Sequence, residues 1–387
     1  MSKPRIAVIG EYPLERDRYS GGPARVCYSI YNELRKNDAL QVELFTPMGV
    51  RQMLRNWVLK SRDRPLNDEF HFYSLSILLK LLIGRFEVIH FLGFPRKLSF
   101  LIFLNPFFHN KFLYTANGLI TLERTMGSSH LWIYERLEKQ LITQVDCVIT
   151  VSEFLEEKMK ENYPAAKQSK VIPNSVDVDL FKPATDKSAR RDLLRRLNLR
   201  EDAQLIFTAG GTQEVKGLPF MLDALGHLNT SGVILLICGP KGNKHSCIAD
   251  IPSSGLEAIR YIGILDPECV VRAYQAADIY IHTSKYDSFG LAPLEAMACG
   301  CPVIVSDRVG MSDLLEDGTD GFIVRYGDTE DLSGKIELLL ADDELRRTMG
   351  TRARETAKRI SWARIASQYA QIYKQLIGHT EVVLMEE

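Results

Sequence analysis

The chain has 387 residues, 45% hydrophobic and 25% charged, with a formal net charge of -1. That length exceeds one ordinary domain and fits two of roughly 150–200 residues each. The balanced charge excludes a global attraction to nucleic acid, and no apolar run reaches the ~18 residues of a membrane-spanning helix.

The N-terminal stretch MSKPRIAVIGEYP has a short apolar run ending at Gly10, which reads as a first buried strand and not as a signal peptide. The strands predicted in the first half are Ile6–Ile9, Gln41–Thr46, Val88–Phe91, Lys111–Thr115, Cys147–Val151 and Lys170–Ile172. Amphipathic stretches such as Ala24–Arg35 and Trp132–Val145 lie between them. The pattern then restarts with Leu205–Ala209, Val233–Cys238, Ala258–Ile262, Ile279–Thr283, Pro302–Ser306 and Gly321–Val324. Short β-branched strands alternating with helices imply parallel sheets with right-handed crossovers. The expected fold class is α/β: two Rossmann-like doubly wound domains in tandem. The turn-rich PNSVDVDLFKPATD after Val171–Ile172 marks the boundary. Residues 1–172 are expected to form the first domain and 173–360 the second. The tail Asp328–Leu376 reads as helical, and residues 361–378 are expected to return to the first domain.

One basic stretch stands apart. Arg51, Arg55, Lys60, Arg62 and Arg64 face a single Asp63, with Met53, Leu54, Trp57, Val58 and Leu59 interleaved. Two readings stand side by side: a solvated helix face over a core stripe, or a helix lying on an anionic membrane. In the second, each basic group contributes about 1 kcal/mol, enough for reversible contact at the inner face of the membrane only. The Leu- and Phe-rich stretches Leu75–Phe86 and Leu98–Phe112 follow. Seven cysteines with no CxxC pair and no zinc spacing fit a reducing cytoplasm. Cys299 and Cys301 are expected to be buried small residues.

The segment from Asp287 to Cys301, DSFGLAPLEAMACGC, carries most of the chemistry. Ser288, Gly290 and Pro293 mark a helix start and Gly300 its end. A helix N-terminus after a glycine loop presents free N–H groups and a positive dipole, which suits a diphosphate. Asp287 in the loop and Glu295 in the helix are spaced to accept from hydroxyls on either side of that phosphate, or else are ordinary surface charges. Lys216 follows the Gly210-Gly211 turn at a helix start, where a cation reaches a phosphate. Such a contact at about 4 Å is worth roughly 4 kcal/mol at an effective dielectric of 20. Gly21 and Gly22 allow close backbone approach ahead of a helix that carries Arg25 one turn in. No GxGxxG follows the first strand, so a dinucleotide cofactor has no support.

These segments together resemble the family-four retaining glycosyltransferases. The acidic-x7-acidic motif appears as Asp287 and Glu295 followed by EAMACG. SGGPARV at Ser20–Val26 resembles the family's glycine loop, and KGLPFMLDAL at Lys216–Leu225 its phosphate-lysine helix. VSEF at Val151–Phe154, VIPNSVD at Val171–Asp177, EDGTDGFIVRY at Glu316–Tyr326 and the tail SWARIASQYAQIY also resemble family segments. The resemblance implies the GT-B architecture, with two domains facing a cleft. It implies transfer of a hexose-type sugar, with retention, from a nucleoside diphosphate to a hydroxyl acceptor that is a small molecule, a lipid-linked glycan or a cell-surface glycan. In that reading Lys216 and the amides of Ser288, Phe289 and Gly290 hold the diphosphate, Leu291 belongs to the donor-binding residues, and Glu295 binds ribose. Asp287 and Asn117 take the donor sugar. Gly239, Pro240 and Lys241 with Ile262, Gly263 and Ile264 flank the base at strand ends. No cofactor and no metal are expected, since Lys216 and the helix dipole carry the diphosphate charge and no Asp-x-Asp motif occurs.

Three departures from the family pattern matter. Where the family has an arginine five residues before the lysine, this chain has Gly211. Losing one aimed charge typically costs about 10²–10³ in rate. Either Gly210 and Gly211 offer an amide nest, or Lys285, Lys241 or Arg308 substitutes. In YTANG, Asn117 stands where a histidine is frequent. The first acidic residue is Asp287, one methylene shorter than glutamate. Two other classes stay open: a catalytically weak, nucleotide-binding partner subunit, and a sugar epimerase or phosphorylase on the same architecture.

Overall fold

The computed structural model describes residues 3–10, 22–47, 71–72, 77, 80–81, 83–95, 110–126, 132–186, 188–228, 232–240 and 258–378. The basic stretch 51–64, Gly21 and Lys241 lie outside the described residues, as do part of 75–86 and most of 98–112. The chain forms two compact units, one from Met1–Ile172 and Trp362–Glu387, the other from Pro173–Ser361.

In the first unit the strands are β1 (Arg5–Gly10), β2 (Gln41–Pro47), β3 (His71–Phe72), β4 (Val88–Leu92), β5 (Lys111–Ala116), β6 (Cys147–Thr150) and β7 (Ser169–Val171). They form one sheet in the order β3-β2-β1-β4-β5-β6-β7. Every recorded pairing is parallel. Ile6 pairs Val42 on one side and Val88 on the other, so the strand order reverses between β1 and β4. Helices α1 (Gly22–Leu34), α2 (Ile120–Thr125), α3 (Trp132–Gln144) and α4 (Glu153–Asn162) belong to this unit. The predicted strands recur within a residue or so, because strands covered on both faces read as continuous apolar runs. The short β3 was not predicted; two residues carry no period.

The second unit holds β8 (Gln204–Ala209), β9 (Val233–Cys238), β10 (Ala258–Gly263), β11 (Ile279–His282), β12 (Val303–Ser306) and β13 (Phe322–Val324). Their order is β10-β9-β8-β11-β12-β13, again all parallel. Its helices are α5 (Ser188–Arg196), α6 (Leu218–Gly226), α7 (Pro267–Ala276), α8 (Leu291–Ala298), α9 (Thr329–Ala341) and α10 (Asp343–Arg359). One core cluster runs from α6 across β8, β9, β11 and β12 to α9, including Met221, Leu225, Leu235, Ile281, Ile304, Leu332 and Ile336, all essentially buried. Each such side chain contributes about 1.5–3 kcal/mol. Cys299 and Cys301 are buried, as expected, and burial pushes both thiols up.

The last helix, α11 (Trp362–Ile377), packs on α1 and β4 of the first unit. A buried polar network pins it. His90 Nδ1 lies 2.7 Å from Tyr373 Oη and its Nε2 2.8 Å from Thr115 Oγ1. Thr115 Oγ1 in turn lies 3.1 Å from Tyr369 Oη. Burial pushes the His90 imidazole down to about 3, so it is neutral and bridges one donor and one acceptor.

Candidate active site

In open parallel sheets, ligand sites form outside the carboxyl ends of strands where the order reverses. In the second unit that point lies between β8 and β11, and the loops after both strands meet there. Lys285 N donates to Val215 O at 2.8 Å, and Thr283 Oγ1 donates to Gly217 O at 3.1 Å. The approach needs glycine: Gly217 has φ +71°, and a Cβ there would sit 1.7 Å from Thr283 O. This stitching carries Lys216, at the end of a 3-10 turn over Glu214–Lys216, onto the loop of Asp287.

Lys216 Nζ donates to Asp287 Oδ2 at 2.8 Å, with the two side chains 28% and 17% exposed. His282, the last residue of β11, places Nε2 3.1 Å from the same Oδ2. Ser284 Oγ lies 3.1 Å from that nitrogen, and Tyr280 Oη 3.3 Å from Nδ1. Burial pushes the Asp287 carboxyl up, but the Lys216 charge and the hydrogen bonds from His282 and Lys216 outweigh it and hold the group well below the usual carboxylate range. Burial lowers His282, with Asp287 opposing, so the imidazole is neutral at pH 7.

Glu295 lies in α8 and is 5% exposed, with Tyr274 Oη donating to its Oε2 at 3.1 Å. It is not an ordinary surface charge. Several helices are capped by their own sequence: Ser152, Asp266, Asp328 and Asp342 accept from Leu155, Cys269, Asp331 and Leu345 N–H groups. By contrast α6 and α8 begin at Gly217 and Gly290 with no side-chain cap. Their first N–H groups open beside Lys216 and Asp287 and can meet an anion. Ser288 is half-buried, Phe289 and Gly290 are buried, and Leu291 opens the helix; Phe289 N lies 3.4 Å from Asp287 Oδ1.

One expectation is corrected. Gly210 and Gly211 do not form an amide nest, because both N–H groups donate to Cys238 O, at 3.0 and 2.8 Å. Gly211 has φ +69°, and a Cβ would lie 1.9 Å from Pro240 O. The backbone of 239–240 has closed over the place where a side chain would start, so the missing arginine is a packing feature as well as a lost charge. Two suggested substitutes are engaged elsewhere. Lys285 Nζ contacts Glu214 at 3.3 Å, and the Arg308 guanidinium lies over the Tyr326 ring at 4.7 Å. The third, Lys241, is outside the described residues.

Toward the β10 edge of the sheet, Gly239 N donates to Gly263 O at 2.9 Å and Tyr261 Oη donates to Gly239 O. Ile262 and Gly263 close β10, and Ile264 beyond them is 78% exposed. Gly22, Arg25 and Asn117 lie in the first unit. Asn117 follows β5, next to Gly93 at the end of β4. Beneath its loop, buried Glu138 accepts from Ile120 N at 2.9 Å and Tyr163 Oη at 3.0 Å, which caps α2. Burial pushes its carboxyl up to about 7. Sequence reading missed His282, Ser284, Tyr274, Tyr280 and Glu138. For His282 a signal existed: a polar residue that ends an apolar strand five positions before the acidic one. Among the described residues no group of three His, Cys, Asp or Glu is placed to hold a metal ion, and no helix is long and apolar enough to cross a membrane.

Comparison with known proteins agrees with this architecture. Residues 189–356 match the family model of glycosyl transferases group 1, and residues 20–180 that of Glycosyltransferase Family 4. A D-inositol 3-phosphate glycosyltransferase of Corynebacterium jeikeium is 30% identical over 255 residues, covering 62% of this chain and 61% of the relative. The chain therefore matches about three fifths of that relative's length. Among solved structures, sucrose-phosphate synthase from Thermosynechococcus elongatus is 22% identical, with TM-score 0.72 and coverage of 98% of this chain and 100% of that one. Anabaena HepE in complex with UDP and glucose is 17% identical, with TM-score 0.72 and coverage of 96% and 100%. What these structures share with the chain is the pair of Rossmann-like domains. The chain belongs to the family-four, group 1 glycosyltransferases, with the GT-B fold.

Proposed function

We propose that the protein is a retaining glycosyltransferase that moves a hexose-type sugar from a nucleoside diphosphate to a hydroxyl acceptor. The observation that carries this reading is the Lys216–Asp287 pair at the β8/β11 switch point, beside the uncapped start of α8 and the buried Glu295. As the glycosidic bond breaks, charge develops on the departing diphosphate, and an aimed ammonium with helix N–H groups stabilises it without reorganisation. Glu295 accepts from the ribose hydroxyls, and Asp287 from a hydroxyl of the donor sugar. Ile264 packs on the base. Attack from the leaving-group face, with the departing phosphate taking the acceptor proton, gives retention. Neither a metal nor a cofactor is required, because Lys216 and the α8 dipole carry the charge. A similar structure holds UDP and glucose, and the curated relative is named for D-inositol 3-phosphate. Both support a nucleotide-sugar donor and a polyol or glycan acceptor. Residues 51–64 would bring the enzyme to the inner face of the membrane to reach a lipid-linked glycan.

The test is release of nucleoside diphosphate from UDP-, GDP- and ADP-sugars with acceptors drawn from a cell lysate. Turnover that survives Lys216→Ala and Glu295→Ala unchanged sinks the assignment. The closed position at Gly211 favours one second reading, a nucleotide-binding partner subunit of low intrinsic activity. Calorimetry that finds tight nucleotide binding without turnover selects it.

A further inference from the structure

On the donor-site reading above, the shortened carboxylate of Asp287 must present one oxygen to the donor sugar. We propose that His282 is the positioning residue of this site. With Lys216 it takes Oδ2 of Asp287, and so turns Oδ1 toward a hydroxyl of the donor sugar.

The backbone at Asp287 is already pinned. Its N–H donates to Arg308 O at 3.1 Å, and its carbonyl accepts from Gly310 N at 2.9 Å. Only the side-chain torsions remain, and the terminal torsion of an aspartate is broad and nearly two-fold. Lys216 alone does not resolve it, because an ammonium is a compact point charge with three rotatable donors and donates to either oxygen equally well. A ring nitrogen has one direction. His282 Nε2 lies 3.1 Å from Oδ2, the oxygen that Lys216 also holds at 2.8 Å. Among the described residues Oδ1 then keeps the long 3.4 Å approach of Phe289 N, which leaves it able to accept a hydroxyl.

The imidazole is itself held. Its ring stacks on Tyr280 at a 17° interplanar angle, and Tyr280 Oη lies 3.3 Å from Nδ1. Ser284 Oγ stands 3.1 Å from Nε2, and the Ser284 carbonyl accepts from Ser306 Oγ at 2.7 Å. The network assigns the tautomer. Nε2 faces an anionic oxygen and must carry the proton, so Nδ1 is the acceptor, beside a Tyr280 hydroxyl that also reaches Ala209 O at 3.4 Å. His282 is 3% exposed, so no water takes over its role in this geometry. The arrangement compensates for the missing methylene: a glutamate reaches the sugar by length, whereas Asp287 must present one defined oxygen from a fixed position.

The experiment compares His282→Gln with His282→Asn. Glutamine keeps an N–H donor near the Nε2 position; asparagine is too short to do so. Turnover of UDP-glucose, GDP-mannose and ADP-glucose is measured beside affinity for UDP, GDP and ADP, with circular dichroism to verify folding. Losing a donor to a charged group is expected to lower kcat about 10- to 100-fold in His282→Asn. His282→Gln should restore kcat to within roughly threefold of wild type. Affinity for the free nucleoside diphosphates should stay within about twofold in both, since they lack the transferred sugar that Asp287 holds. Wild-type kcat in His282→Asn, equal loss in both variants, or diphosphate affinity falling in step with kcat each overturns the proposal while the donor reading stands. A wild-type enzyme that neither binds nor turns over any of the three donors removes the donor reading, and the proposal with it.

Discussion

Two buried histidines occupy matching places in the two sheets. His90 lies in β4, next to β1 across the first reversal of strand order, and His282 ends β11, next to β8 across the second. Burial makes both neutral. Their partners differ. His90 is closed between two hydroxyls, Tyr373 Oη and Thr115 Oγ1, and serves to dock the last helix. His282 faces the Asp287 carboxylate, which Lys216 also holds, in the loops where the strands open out. The same side chain in the same topological position is a structural bolt in one unit and part of a charged site in the other. What separates them is depth along the strand: His90 is followed by two more strand residues, whereas His282 meets the loop.

The comparison breaks most sharply at Lys216. Lys216→Ala is expected to lower the rate of sugar transfer about 10²–10³-fold, the cost of removing an aimed charge. The thermal midpoint should move by only a few degrees, because Lys216 and Asp287 are 28% and 17% exposed and water partly replaces the lost contact. Steady-state kinetics beside calorimetry checks both.

His90→Leu is expected to do the reverse. It leaves buried hydroxyls of Thr115 and Tyr373 without this partner, at about 2–3 kcal/mol of stability. That corresponds to a midpoint lower by roughly 5–10 °C in a unit of this size. Turnover per folded molecule should stay within about twofold of wild type. A stable, inactive His90→Leu would show that the two histidines do not divide the work as described.

Buried titration sharpens the contrast further. Glu138 is held up at about 7, above the ordinary 4.5. Between those values the folded state binds the extra proton, so its contribution to stability is full below about 4.5 and lost as pH rises through 7. His90, held down at about 3, has the opposite sign: its contribution is full above 6.5 and lost as pH falls toward 3. Glu138→Gln, which can still accept from Ile120 and Tyr163, should therefore lose less stability than wild type between about pH 5 and pH 8. Denaturant titrations at the two pH values measure this, and parallel profiles would refute it.

The smallest effect is expected at Ile264. Being 78% exposed, Ile264→Ser should leave the midpoint unchanged and weaken nucleotide affinity about two- to fivefold through lost apolar contact with the base. Isothermal titration with UDP, GDP and ADP checks it.

The sequence by itself determined what has a short period or a local turn. Buried strands such as Val233–Cys238 declare themselves because both faces are covered and every position is apolar. The Asp287 and Glu295 spacing, the glycine start of α8 and the lysine after Gly210-Gly211 were readable for the same reason, since each lies within one loop and one helix. Only the tertiary structure decided what those groups touch. Lys216 and Asp287 are 71 residues apart, and they meet because glycine at 217 lets one loop close on the next. The fate of the Gly210 and Gly211 amides depended on Cys238, a neighbour across the sheet and not along the chain. His282 was in plain view in IHTSKYD, yet its role required the loop to fold back and bring Oδ2 within 3.1 Å of a nitrogen. Hydrogen bonds and ion pairs are decided over fractions of an ångström, and that precision comes from the register of packed elements, which the period of a sequence does not encode.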